Sequence, residues 1–369
     1  MRFPEFSGEW SECQIKEYGV IVTGNTPPTN IKEYYEDGSY LWAAPGDLGN
    51  NKDITITEKK LSDMGFKKAR VIPKGSILVT CIGSTIGKMG IASTEMATNQ
   101  QINSVIVQNN LFDINFVYYS IMRDFPRYLK VVSKQAVPIL SKSTFEKLKN
   151  HKTSINEQRK IGKFLSLIDG RIATQNRIIE ELQSLIKGIY QHVFRNENYK
   201  SVPLETIAKI KKGEQINGEY LLETGDYYVM NGGAEPSGYY DLWNTEAGTI
   251  SISEGGNSCG YVQYNEKRFW SGGHCYTLGL NDHGPIDKMF LYHYLKYSEP
   301  NIMALRIGSG LPNIQKKDLS KFCILLPPIH EQKFIANGLE QLRTRVNIES
   351  KILNSLREEK FFLLRAMFI

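Results

Sequence analysis

The stretch nearest to a phosphate-binding loop is Gly83-Ser-Thr-Ile-Gly87-Lys88-Met89. Such a loop needs four residues between its glycines and a Ser or Thr after the Lys to hold magnesium. Here three residues separate the glycines and Met89 follows Lys88, so a β-turn with close backbone approach is the expected role. His274-Cys275 and Asp282-His283 offer nucleophile and base types. The region matching His274 in the first half of the chain, Asn99 to Ile102, has no counterpart to them, so ordinary packing is expected there. The sequence contains no HExxH, no GxSxG and no spaced Cys/His ligand set. It also lacks a Gly-rich dinucleotide fingerprint and an Asn/Asp-Pro-Pro-aromatic box of the amino-methyltransferase kind. The expectation is a chain with no active site, no cofactor and no metal.

What remains suits contact with nucleic acid. Basic clusters occur at Lys59-Lys60, Lys67-Lys68-Arg70, Arg123 to Lys134, Lys211-Lys212 and Lys316-Lys317. Most such clusters are solvated surface. Two differ in position, because Lys134-Gln135-Ala-Val-Pro138 and Arg306-Ile-Gly-Ser-Gly-Leu-Pro312 are matching loops, each before a matching strand. A loop with Lys or Arg and free backbone N–H groups is apt for phosphate oxygens. Amides and hydroxyls beside them, Gln135, Ser141, Ser309 and Asn313, have the chemistry to meet base edges, where Gln and Asn pair with adenine. Lys142 and Lys316 follow the two loops, and Ser84 and Lys88 sit on the glycine turn. These ten residues are the candidate DNA contacts.

The elements that must position them are duplicated. Ile155-Asn-Glu-Gln-Arg-Lys-Ile161 returns as Ile329-His-Glu-Gln-Lys-Phe-Ile335, and the register holds at an offset of 174 residues to Phe194 and Phe368. In the first copy the apolar seam runs Ile161, Leu165, Ile168, Ile172, Gln175, Ile179, Leu182, Ile186, Ile189, Val193. In the second it runs Ile335, Leu339, Leu342, Val346, Glu349, Leu353, Leu356, Lys360, Leu363, Met367. Alternating steps of four and three make the heptad seam of a coiled coil, and a polar seam residue such as Gln175 or Glu349 fixes its register. Two such helices in one chain most simply pair with each other, antiparallel. The segments before them repeat too: Gly75, Gly83 and Gly87 find Gly248, Gly256 and Gly260 at an offset of 173. Asp113, Phe116, Tyr118, Pro126 and Pro138 find Asp287, Phe290, Tyr292, Pro300 and Pro312 at 174. A strand is predicted over Gly75 to Cys81, and a helix from Asn115 to Met122 that ends near Pro126.

The predicted architecture is α+β: two tandem globular α/β domains, each followed by a long helix, related by pseudo-two-fold symmetry. Its segments are 1–154, 155–196, 197–328 and 329–369. At 369 residues and 41% hydrophobic content the chain can build real cores. The net charge of +6 permits an anionic partner. It divides unevenly. Residues 1–154 carry 19 basic and 15 acidic groups, whereas 197–328 carry 12 and 15, so nucleic-acid contact by the second domain must use local patches. Five cysteines without CxxC spacing read as reduced thiols, and no run approaches membrane-spanning length. A cytoplasmic protein is expected.

On these marks the chain resembles the specificity (S) subunits of type I restriction-modification systems, over essentially all its length. The most specific are Leu325-Leu-Pro327-Pro328-Ile329-His-Glu331-Gln332-Lys333 at the second helix and Ser154-Ile-Asn-Glu157-Gln158-Arg159 at the first. The first lacks the Pro-Pro pair. The Gly83-Ser84…Gly87 segment, Asn99-Gln100 and the Gly310-Leu-Pro-Asn-Ile314 entrance of the second unit also fit. The resemblance implies two target-recognition domains, each reading half of a split site in double-stranded DNA. It implies a helical spacer that docks a pair of methyltransferase subunits, with motor-nuclease subunits completing the complex. The chain itself would then be non-catalytic. The competing expectation is a scaffold of two ligand-binding domains on a coiled coil, with no role on DNA.

If the paired helices set the gap between half-sites, their length is testable. One heptad added between Gln175 and Leu182, with a matching one between Glu349 and Leu356, keeps the seam and lengthens each helix by ~10 Å. With DNA advancing ~3.4 Å per base pair, the methylated spacer should grow by about three base pairs. A methylation map should show unchanged half-sites around it.

Overall fold

The computed structural model describes residues 1–368 except 50, 132–137, 196–197, 282–284, 309 and 311. Two units make up the chain: Met1–Ile178 with Ser350–Ile369, and Ile179–Glu349.

In the first unit, short runs rich in Val, Ile and Thr form the main sheet, as β-branched residues on a pleated surface do. Its strands are β2 (Gly19–Thr23), β3 (Ile77–Thr80), β4 (Met89–Ala92) and β5 (Ile102–Val107), in the order β2-β5-β3-β4 with antiparallel neighbours. Asp53–Ile54 adds a parallel edge beside β4. All four residues of β3 are buried, because helix α1 (Ile114–Tyr128) covers one face and a small second sheet of Tyr40–Ala43, Lys60–Leu61, Val71–Ile72 and Met96–Thr98 adjoins the other. Helix α1 runs past the predicted stop and through Pro126. The proline sits in its last turns, and burial of Phe125 and Tyr128 against the core carries the helix on. A two-stranded ribbon of β1 (Ser11–Gln14) with β6 (Lys149–Lys152), preceded by the short helix α2 (Lys142–Glu146), leads into the long helix α3 (Ile155–Val193).

The second unit has the same plan. β8 (Ala208–Lys212), β9 (Thr249–Ser253), β10 (Val262–Asn265) and β11 (Cys275–Leu280) pair antiparallel in the order β8-β11-β9-β10. Helix α4 (Lys288–Tyr297) packs on this sheet. A ribbon of β7 (Lys200–Pro203) with β12 (Cys323–Leu326), the latter preceded by α5 (Lys316–Ser320), leads into the second long helix, α6 (Ile329–Met367). Residue offsets between the copies stay at 173 for β4 and β10 and at 174 for α3 and α6.

Each long helix is 39 residues, roughly 58 Å at ~1.5 Å per residue. They pack together antiparallel, which each unit demonstrates separately. In the first, Ile161, Leu165 and Ile168 from the start of α3 share a core with Leu363, Leu364 and Met367 from the end of α6. There Lys360 pairs with Asp169 at 2.6 Å, and Asp169 accepts from Tyr119 Oη at 2.5 Å. In the second, Ile186, Ile189 and Val193 from the end of α3 meet Ile335, Ala336 and Leu339 from the start of α6. Of the seam candidates, Leu353 and Leu356 are also buried. Ile172, Ile179, Leu182, Leu342 and Val346 are partly exposed.

A buried polar joint ties α4 to both long helices in the second unit. Tyr190 Oη lies 2.8 Å from His293 Nδ1, and Glu340 Oε1 lies 2.9 Å from its Nε2. Burial, and then the nearby Arg343 guanidinium, push the His293 imidazole down to about 4. The Glu340 carboxylate does not reverse this, because Arg343 takes its charge at 3.3 Å. His293 therefore stays neutral when folded and ionises near pH 6.5 when unfolded, so its contribution is complete above that value and is lost as pH falls towards 4. Wild-type protein should lose about 2 kcal/mol between pH 7.5 and pH 5 from this residue alone. Urea midpoints at the two pH values should show that part of the loss missing in His293→Gln.

Candidate nucleic-acid interface

Both glycine turns fold as tight connections beyond a central strand. Gly83 and Gly87 have φ of +97° and +93°, and Gly256 and Gly260 have +77° and +92°. In each turn the second glycine also meets a close neighbour. A Cβ on Gly87 would lie 2.7 Å from the Phe125 ring, and one on Gly260 would lie 2.9 Å from Met303 Cα.

The first glycine of each turn is bonded to the loop that the sequence pairs with it. Gly83 N–H donates to Pro138 O at 3.0 Å, and Leu140 N–H donates to Cys81 O at 2.8 Å. In the second unit Gly256 N–H donates to Pro312 O at 3.0 Å, and Ile314 N–H donates to Glu254 O at 2.8 Å. The glycine turn and the described residues that follow each loop, Pro138 to Leu140 and Pro312 to Ile314, are thereby held together. Ser84 is exposed on the first turn and Lys88 is half-buried, its stem against Gly49. Ser141 and Lys142 are exposed below Pro138. Ser141 Oγ is occupied as the cap of α2, accepting from Thr144 N–H at 3.2 Å, and Lys142 pairs with Glu146 at 3.6 Å. In the second unit Arg306, Asn313 and Lys316 are all exposed. Asn313 bridges both Gly255 and Ile307 through its backbone, which leaves its side chain to solvent. Lys134, Gln135 and Ser309 lie outside the described residues, as do Asp282 and His283.

Residues that sequence reading did not select stand on the same surfaces. In the first unit Gln101 lies beside the turn, with Nε2 3.5 Å from Ile82 O, and Asn99 Oδ1 accepts from its N–H at 2.9 Å. Asn25 accepts from Arg70 N–H at 2.6 Å, and Gln100 Oε1 accepts from Thr26 Oγ1. In the second, Glu254 is 8% exposed and accepts from Lys212 Nζ at 2.6 Å and Tyr276 Oη at 2.8 Å. His274, which sequence reading assigned to packing, has a side chain 60% exposed and lies with Nδ1 3.7 Å from Glu254 Oε2. Burial raises the Tyr276 hydroxyl, and its bond to Glu254 raises it further. Burial also pushes up the thiols of Cys275, Cys259 and Cys81, the last to about 12. None is a ready thiolate nucleophile.

A family model for the type I restriction modification DNA specificity domain matches residues 7–184 and again 196–358. The chain belongs to this family. Among its relatives, the specificity subunit of a type I restriction enzyme from Methanocaldococcus jannaschii is 30% identical, across 87% of this chain and 83% of that one. A Mycoplasma pneumoniae protein named as a type I specificity subunit is 35% identical over 44% of each chain. The matched segment thus spans less than half the length of that relative. The crystal structure of the type I restriction-modification S subunit from M. genitalium superposes with a TM-score of 0.74 at 20% identity, covering 98% of this chain and 96% of that one. That likeness is one of fold. Among the described residues of this specificity-family chain, no helix is long and apolar enough to cross a membrane. Among the described residues no group of three or more His, Cys, Asp or Glu is placed to hold a metal ion.

The turns themselves are open to test. Gly260→Ala forces a side chain into φ +92° and against the Met303 backbone, which should cost roughly 2 kcal/mol. Gly46→Ala, where a Cβ meets nothing within 4 Å, should be neutral. Thermal melts of the two variants read the difference.

Proposed function

We propose that the chain is the sequence-reading subunit of a type I restriction-modification complex and binds a two-part site in double-stranded DNA, one half per domain. The reading domains are residues 1–154 and 197–328, and the spacer segments are 155–196 and 329–369. What carries this reading is one arrangement built twice: a glycine turn bonded to a proline loop, Gly83 to Pro138 of Pro138-Ile-Leu140 and Gly256 to Pro312 of Pro312-Asn-Ile314. Around it stand exposed amides and cations that differ between the copies. A repeated frame with changed side chains suits a ligand with two unlike halves. In the second domain, which is net acidic, Arg306 and Lys316 take phosphate oxygens while Asn313 faces a base edge. In the first, Ser84, Lys88, Lys142 and the Lys134-Gln135 loop serve the same ends.

The subunit is non-catalytic in this proposal and takes no cofactor. Methylation and cleavage belong to partners, a pair of methyltransferase subunits and the motor-nuclease subunits, in the cytoplasm. Apolar side chains left on the long helices support docking there: Phe361 and Phe362 are 60% and 64% exposed in the first unit, and Phe334 is 82% exposed in the second.

The test is a domain exchange. Replacing residues 1–150 by the matching domain of a relative, in cells carrying the methyltransferase, should change one half of the methylated motif and leave the other. A map in which both halves change, or neither, sinks the proposal.

A further inference from the structure

Glu254 is a carboxylate at the second unit's glycine turn, and its surroundings are lopsided. Oε1 accepts from Lys212 Nζ at 2.6 Å and from Tyr276 Oη at 2.8 Å. Oε2 is sealed from solvent and has no hydrogen-bond partner among the described residues. His274 Nδ1 lies 3.7 Å from it. The imidazole is held against the turn by its backbone: His274 N–H donates to Asn231 Oδ1 at 3.2 Å, and Glu254 N–H donates to His274 O at 2.9 Å. Yet its side chain is 60% exposed. A buried carboxylate oxygen with no donor is costly, and a proton on Nδ1, 3.7 Å away, gives it electrostatic relief that a bare ring nitrogen would not. In the neutral ring Nε2 is then an acceptor on an exposed side chain, whose Nδ1 and Pro312 O would each lie 3.7 Å from a Cβ on Gly255.

We infer that His274 is a specificity-determining residue whose Nε2 accepts a hydrogen bond from the exocyclic amino group of one base in the second half-site, and that Glu254 sets this by fixing the tautomer. Adenine N6 and cytosine N4 carry that group in the major groove; guanine and thymine offer carbonyl oxygens at the equivalent places. The inference rests on the proposed DNA-reading role. The cluster is not needed for the fold, since the first unit builds the same turn with Cys81 in place of Glu254 and Gln101 in place of His274, at an offset of 173.

Methylation maps of the whole complex test it. His274→Ala should reduce discrimination at one adenine or cytosine position of the second half-site about tenfold, with the first half-site unchanged. Glu254→Gln is more diagnostic. Lys212 and Tyr276 both donate to Oε1, so they keep the amide oxygen, and the amide N–H turns to Nδ1. The proton then moves to Nε2, and preference at that same position should shift towards guanine or thymine. Uniform weakening at every site would mean a phosphate contact and would overturn the inference, as would an unchanged map. Absence of any two-part motif dependent on wild-type chain would instead sink the DNA-reading role itself.

Discussion

A single buried amide at the mouth of each long helix ties the helix to the domain before it. Gln158 Oε1 accepts from Asp113 N–H at 3.0 Å while its Nε2 donates to Thr153 O at 2.7 Å. Gln332 does the same for Asp287 N–H at 2.8 Å, Pro327 O at 2.8 Å and Pro285 O at 2.8 Å. Asp113 and Asp287 in turn cap α1 and α4, accepting from Phe116 and Phe290 N–H. One buried side chain thus joins the start of the long helix to the start of the helix on the sheet. Both Gln residues are 1% exposed, so an apolar replacement would strand several backbone groups without partners. In the first unit Glu157 adds a second tie. Burial opposes its charge, but hydrogen bonds from Arg2, Thr153 and Trp10 prevail and hold its carboxyl below the usual range.

Beyond that shared clip the two units use different chemistry at equivalent places. Tyr119 and His293 are 174 apart, as are Asp169 and Arg343. In the first unit the joint is Tyr119 to Asp169 to Lys360; in the second it is His293 with Tyr190, Glu340 and Arg343. Apolar contacts alone would let either domain accept either pair of helix ends. Buried polar groups that are satisfied only by their own partners penalise the exchange, as a polar seam residue does in a coiled coil.

What sequence reading captured was periodic or duplicated. The 4-3 spacing marked both long helices, and the 173–174 offset predicted that the whole unit, domain plus helix, occurs twice. The glycine turns were legible because φ near +90° admits little else. Pro126 misled, since a proline in the last turns of a helix removes little that burial of Phe125 and Tyr128 does not restore. Pairings across strands were not legible. Lys212 and Glu254 are 42 positions apart and meet only because β8 and β9 flank β11. His274 had no counterpart in the first copy, and that absence was taken as a sign of packing. It is better understood as a sign of difference, because it marks where one unit departs from the other.

The departures are confined to particular atoms. Thr23, Cys81, Gln101 and Asn103 in the first unit stand where Lys212, Glu254, His274 and Tyr276 stand in the second. In the first unit Thr23 donates to Asn103 at 2.6 Å; in the second Lys212 and Tyr276, on the same strand pair, both donate to Glu254 just beyond β9. The backbone bonds from Gly83 to Pro138 and from Gly256 to Pro312 are 3.0 Å in both. Side chains at the strand ends can therefore change from neutral to charged while the turn they border keeps its geometry. Such separation has a physical basis. The turn is held by backbone groups and glycine conformation, neither of which depends on what the neighbouring strand ends carry. A reading surface built this way can vary in chemistry without altering the clip that fixes it to the long helix.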